Sequence, residues 1–156
     1  MHVFQRQDSE QTLAQGLEEY FAANPGLAQS RFMSPQAQEF FRCHDVAHVV
    51  FGCNADLDDE AVVKIASILG TTAGLRVLEG YRLHESLEIY RQLRVRDVLR
   101  SILNSVVIVP RTAVRCLFQR ARWPWKEHGR FLNTSLRELR REFGIRVAHS
   151  HAAKEP

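Results

Sequence analysis

The chain has 156 residues, of which 45% are hydrophobic and 25% charged, with a net charge of +3; this is the composition of one globular domain large enough to bury its own core. No apolar run approaches the roughly 20 residues that span a bilayer, and Met1-His2-Val3-Phe4-Gln5-Arg6 lacks the apolar core and small-residue cleavage site of a secretory signal. Cys43, Cys53 and Cys116 are an odd set with no C-x-x-C pair, which argues against a disulfide framework or a thiolate zinc knuckle and makes a reducing cytoplasm the expected compartment.

The first predicted helix runs from Glu10 to Ala23, with Ser9 as N-cap and Leu13, Leu17, Tyr20 and Phe21 at helical spacing. Asn24-Pro25-Gly26 ends it. Ser34-Pro35 gives a cap followed by proline at the first helical position, so a second helix is expected from Pro35 to Phe51, stopping at Gly52. Asp56 caps a third over Leu57–Leu69, whose first turn carries Asp58, Asp59 and Glu60 as the helix dipole favours. A longer stretch is expected from Thr71 or Thr72 to Leu93, then Val95 to Val109 stopped by Pro110, and a short helix from Thr112 to Ala121. Trp123-Pro124-Trp125 forces an extended corner, and Asn133 or Thr134 caps a last helix to Phe143-Gly144. No period-two strand is evident. The expectation is an all-α, single-domain bundle of about six helices over residues 1–146, with residues 147–156 a flexible tail.

Charge is divided along the chain. Residues 1–80 hold 5 basic and 11 acidic side chains, residues 81–146 hold 15 and 6. The positive half is nearly all arginine, which suits bidentate contact with phosphate or carboxylate. An anionic partner such as a phospholipid surface, a phosphorylated ligand or an acidic protein would explain it, and so would a solvated helix face. No nucleic-acid motif accompanies it.

The chemical signal is Cys43-His44-Asp45-Val46-Ala47-His48 followed, after eleven residues, by Glu60. Histidines four apart on a helix sit one turn above each other, and Asp45 lies only about 60° around the axis from His48. Both histidines fall within the stripe of Phe40, Phe41 and Phe51, so they point inward. His44, Asp45, His48 and Glu60 are the candidate ligands and catalytic residues for a divalent metal. Imidazole and carboxylate suit zinc first and non-haem iron second. The plainer reading is a hydrogen-bonded core histidine and, for Glu60, an acid placed by the helix dipole. Cys43 diverges from His44 by about 100° and makes no Cys/His nucleophile with it. His84-Glu85, His128, His149 and His151 carry weaker signals, explained by a helix surface, a polar corner and the tail. Trp123 and Trp125 would serve to anchor a lipid surface or, more simply, to pack the last helix.

His44-Asp45-x-x-His48-x(11)-Glu60 resembles the H-D-x-x-H-x(11)-E signature of the coenzyme Q biosynthesis protein 4 family. Trp125-Lys126-Glu127-His128 and Leu136-Arg137-Glu138-Leu139-Arg140-Arg141-Glu142-Phe143-Gly144-Ile145 look like its closing W-x-x-H and L-R-R-E-L-G-I segment, with Phe143 in place of leucine. The likeness covers about residues 35–146, and the absence of a mitochondrial targeting region points to a bacterial relative. It implies an all-helical protein, often a homodimer, with His44, Asp45, His48 and Glu60 as zinc ligands beside an apolar groove for a prenylated lipid or quinone precursor. It further implies a lyase-type oxidative decarboxylation at ring carbon one of a polyprenyl benzoate, in company with other quinone-biosynthesis proteins at the inner face of a membrane. A non-catalytic prenyl-lipid scaffold is one alternative. A metal-dependent phosphohydrolase is another, for which only His84 and Asp97 offer the distant partners.

Overall fold

A computed structural model of the chain describes residues 1–28, 34–82 and 95–148, the last stretch without the side chains of 95–103 and 105. Among these residues are six α-helices: α1 Leu13–Ala23, α2 Pro35–Phe51, α3 Leu57–Leu69, α4 Val77–Tyr81, α5 Val95–Leu117 and α6 Leu136–Phe143. They form no strand, only isolated bridges joining Thr12 to Ser135 and Thr71 to Trp123. The fold is all-α.

α2 is the central element, packed against α1, α3 and α6, while α3 lies along α5. Its boundaries follow from local chemistry. The Ser34 hydroxyl accepts from the Ala37 N–H, Pro35 occupies the first position, and Gly52 takes the left-handed conformation at φ 70° that only glycine adopts without strain. Val46, Val49, Val50 and Phe51 are buried on it, each contributing about 1.5–3 kcal/mol of transfer free energy. α3 begins as its sequence dictates, with the Asp56 carboxylate accepting from the Asp59 N–H.

Elsewhere, tertiary pairing overrides local expectation. α1 starts at Leu13, not Glu10, and its cap is Thr12 in a reciprocal box with Gln15. Ser9 is unavailable as a cap because residues 9–11 pair with the start of α6: the Ser9 and Gln11 carbonyls accept from Arg137 and Leu136. In return the Thr134 and Leu132 carbonyls accept from Leu13 and Ala14, the first donors of α1, so α6 is capped by Ser135 instead of Asn133 or Thr134. No helix starts at Thr71 or Thr72, since the Thr72 N–H donates to Trp123 and the Trp123 N–H to Gly70. Gly74, at φ 58°, delays the helix, which appears as a 3₁₀ turn Gly74–Arg76 and then α4; the remainder of that expected helix, with His84 and Glu85, lies outside the described residues.

Pro110 does not stop α5, which absorbs the expected helix from Thr112 and ends at Leu117. The carbonyl deprived of a donor is that of Val106, on a side of the helix where residues 106, 107 and 110 are exposed, so water can satisfy it. Val147 is not part of a loose tail. It is fully buried, its N–H donates to Gln7, and the Ala148 N–H donates to Phe51. Residues from 149 onward, with His149 and His151, lie outside the described residues.

Candidate metal centre

His44 and His48 lie one turn apart on the inner face of α2, 5% and 0% exposed. The tight turn after Gly52 folds the first turn of α3 back against that face. It is held by the Asn54 N–H donating to the Asp59 carboxylate at 2.5 Å and by the Asp56 cap. Glu60, half-buried, thereby reaches both rings: Oε1 stands 3.2 Å from His48 Nε2 and Oε2 3.6 Å from His44 Nε2. One ligand atom from each of His44, His48 and Glu60 falls within 4.8 Å of the others.

Aromatic rings wall the site. Tyr20 of α1 stacks on His48 at 5.3 Å, Phe40 lies 5.7 Å from His44, and Tyr81 of α4 meets His44 edge-on at 5.6 Å. Lys64, four residues beyond Glu60 and so on the same side of α3, holds its ammonium 4.6 Å from the Tyr81 ring centre. Lys64 and Tyr81 were not singled out as site residues from sequence, although the four-residue spacing from Glu60 was the available signal for the lysine.

Burial sets the protonation states. It pushes the His44 imidazole down to about 3, helped by the neighbouring His48, so the ring is neutral near pH 7 and in the form that binds a cation. Burial pushes Glu60 up, but the His48 and His44 rings outweigh it and hold the carboxyl at about 2. The Tyr20 phenol is driven well up by burial and by the Asp45 and Glu60 carboxylates, so it stays protonated.

The donor set fits a divalent ion. His44 Nε2 and His48 Nδ1 are buried without a hydrogen-bond partner, and His48 Nε2 has only its 3.2 Å contact with the Glu60 carboxylate. Each unpartnered atom costs about 1–3 kcal/mol, a sum comparable with the lower end of the net stability of a small domain, about 5–15 kcal/mol. A cation facing Nε2 of both rings and Glu60 would supply the interaction that His44 Nε2 lacks and would strengthen that of His48 Nε2; it would not reach His48 Nδ1.

Of the four sequence candidates, the structure thus brings three together. Asp45 stands beside the trio and outside it, half-buried, its carboxyl pushed up to about 7 by burial. His128 is buried, not in a polar corner: Nδ1 lies 3.2 Å from the Trp125 carbonyl and 4.0 Å from Cys43 Sγ. Burial raises that thiol to about 11, so it is no thiolate nucleophile. An open cleft of about 400 Å³, lined by Phe40, Val77, Gly80, Pro124, Trp125 and the Glu39–Lys126 ion pair, adjoins the site, with Phe40 as the shared wall.

No helix among the described residues is long and apolar enough to cross a membrane. Comparisons with protein-family models, curated proteins and solved structures gave no match.

Proposed function

We propose that the chain is a metal-dependent protein of ubiquinone or related prenyl-lipid quinone biosynthesis, acting in the oxidative decarboxylation of a polyprenyl benzoate. The observation that carries the reading is the convergence of buried His44 and His48 with half-buried Glu60 at the spacing of the H-D-x-x-H-x(11)-E signature. In this reading His44, His48 and Glu60 hold the ion, zinc or iron, which when bound supplies Lewis-acid polarisation of a carboxylate or phenolate oxygen. Lys64 adds a second positive charge near the site, favouring an anionic ligand. Tyr20, Phe40 and Tyr81 keep water from the reacting centre, and the cleft beyond Phe40 has a volume that suits a small aromatic ring system.

The chemistry balances as acid plus water giving phenol, carbon dioxide, two protons and two electrons. The bond from the ring to the carboxylate breaks, a carbon–oxygen bond forms at the same carbon, and molecular oxygen is the electron acceptor. Zinc does not change oxidation state, so a zinc ion held there would supply polarisation alone, and the electrons would have to pass from the ring to oxygen without it.

The test is conversion of a polyprenylated hydroxybenzoate by the purified protein under air, with mass spectrometry of co-purified lipid. Turnover that is abolished by Glu60→Gln and His48→Ala is the expected result. Full turnover by metal-free protein would overturn the reading. The scaffold alternative is favoured by one observation, that the three ligand residues do not themselves line the cleft; it predicts bound isoprenoid and no turnover in the wild type. No described pair of side chains supports the phosphohydrolase alternative, whose His84 and Asp97 side chains lie outside the description.

A further inference from the structure

The inner side of α5 is mixed, with Cys116 in the core and Ile108 packed against it beside several polar groups. Facing the body of the protein, the Asn104 amide donates to Asp58 at 2.7 Å, the Arg115 guanidinium donates to the Ala148 carbonyl at 2.8 Å, and Thr112 is buried. Facing outward are Val106, Val107, Pro110, Val114 and Leu117, with Phe118 just past the helix end. At about 100° per residue these six fall within an arc of about 120°. Leu117 and Phe118 are 78% and 76% exposed. A helix bordering water carries polar side chains on its outer face, and a contiguous outward apolar face marks an interaction surface.

Charge identifies the occupant. Between residues 98 and 126 there are six basic side chains and no acidic one. Arg111 borders the stripe, and Arg120 and Arg122 follow Phe118, all three exposed. We infer that this face docks on an anionic lipid surface, with Leu117 and Phe118 entering the boundary between headgroups and acyl chains and the arginines contacting headgroup phosphates. A second copy packed two-fold on the same stripe would bring these arginines toward their own symmetry mates, which opposes pairing. The docking is interfacial, since no described helix crosses a bilayer. It deepens the proposed function by naming the surface that meets the bilayer, rests on that reading for the bilayer's relevance, and is tested apart from it.

The experiment is sedimentation of the full chain with vesicles of phosphatidylcholine alone or mixed with phosphatidylglycerol, in the absence of any prenylated acid. The wild type is expected to sediment with the mixed vesicles, and more weakly as salt rises. Leu117→Asp/Phe118→Asp lowers the affinity at least tenfold with an unchanged circular dichroism spectrum, and Arg111→Gln/Arg120→Gln lowers it while keeping the apolar stripe. Glu60→Gln binds vesicles as the wild type does, which separates failure of this inference from failure of the metal reading. The inference is overturned if the wild type ignores anionic vesicles at low salt, or if Leu117→Asp/Phe118→Asp binds as well as the wild type. It is also overturned if the wild type is a dimer that this variant dissolves while neither binds vesicles, the outcome expected were a second copy to cover the face.

Discussion

The Arg140 guanidinium donates to the Val49 carbonyl at 2.7 Å, one residue beyond His48 on α2. The same side chain, 1% exposed, also donates to the carbonyls of Val50, Phe4 and Arg6. It therefore joins α6 and the N-terminal segment to the end of the helix that carries both histidines. Burial lowers its pKa to about 10, so the group remains a cation near neutrality. The arginine-rich closing segment thus has a mechanical connection to the candidate metal centre.

Arg140→Leu leaves four carbonyl acceptors without this donor in the interior. The Val49 and Arg6 carbonyls keep a backbone donor in Gly52 and Ser9, so two carbonyls, those of Val50 and Phe4, are left unpaired. At about 1–3 kcal/mol for each, a loss of at least about 2 kcal/mol is expected in urea denaturation. Arg140→Lys restores only part of it, because an ammonium lacks the planar fork that reaches four acceptors. Wild-type stability in Arg140→Leu would show that the clamp is not a source of stability.

Gly52→Ala is expected to destabilise by about 2 kcal/mol or more, combining left-handed strain with overpacking. A Cβ there meets the Val147 side chain at 2.8 Å while φ stands at 70°. The residue follows His48 by one turn, so the substitution should also weaken metal binding. Thermal and urea unfolding of the variant, with and without zinc, measure both effects.

The metal-free site has two groups that oppose each other on acidification. His44 is depressed to about 3, so between that value and about 6.5 the unfolded chain binds a proton that the folded chain refuses, and stability falls as pH falls. Asp45 is raised to about 7, so between that value and 3.8 the folded chain holds the extra proton, and stability rises as pH falls. Asp45→Asn removes the second effect alone. The metal-free variant should therefore lose stability more steeply than the metal-free wild type from pH 6 to pH 4, by up to about 1.4 kcal/mol per pH unit. Parallel pH profiles would contradict this. The His44 ring resonances should also show no titration down to pH 5.

What could be read from the sequence was what neighbours along the chain decide. Ser34, Gly52 and Asp56 fix their helix ends through side chains or conformations a few residues away, and His44 and His48 face inward because a helix period puts them among phenylalanines. Glu60 was readable as an acid at a helix start, but its approach to the rings depends on the turn between α2 and α3. The misread positions are governed by distant partners. Ser9 yields its cap to the pairing with α6, Thr71 is held by Trp123, and Val147 is buried through Gln7 and Phe51. Pro110 lies within α5 instead of ending it because its side of the helix is exposed, a tertiary fact that local sequence does not carry. Asp45 illustrates the limit of a helical wheel: 60° from His48 brings it beside the trio without bringing it in.

Zinc titration of the metal-free protein by calorimetry, with Glu60→Gln and His48→Ala alongside, tests the central claim most directly. One ion per chain for the wild type is the predicted result, with affinity at least a hundredfold weaker in Glu60→Gln and binding lost in His48→Ala. A wild type that takes up no ion, or a folded Glu60→Gln that binds as tightly as the wild type, would contradict the assignment of His44, His48 and Glu60 as a metal centre.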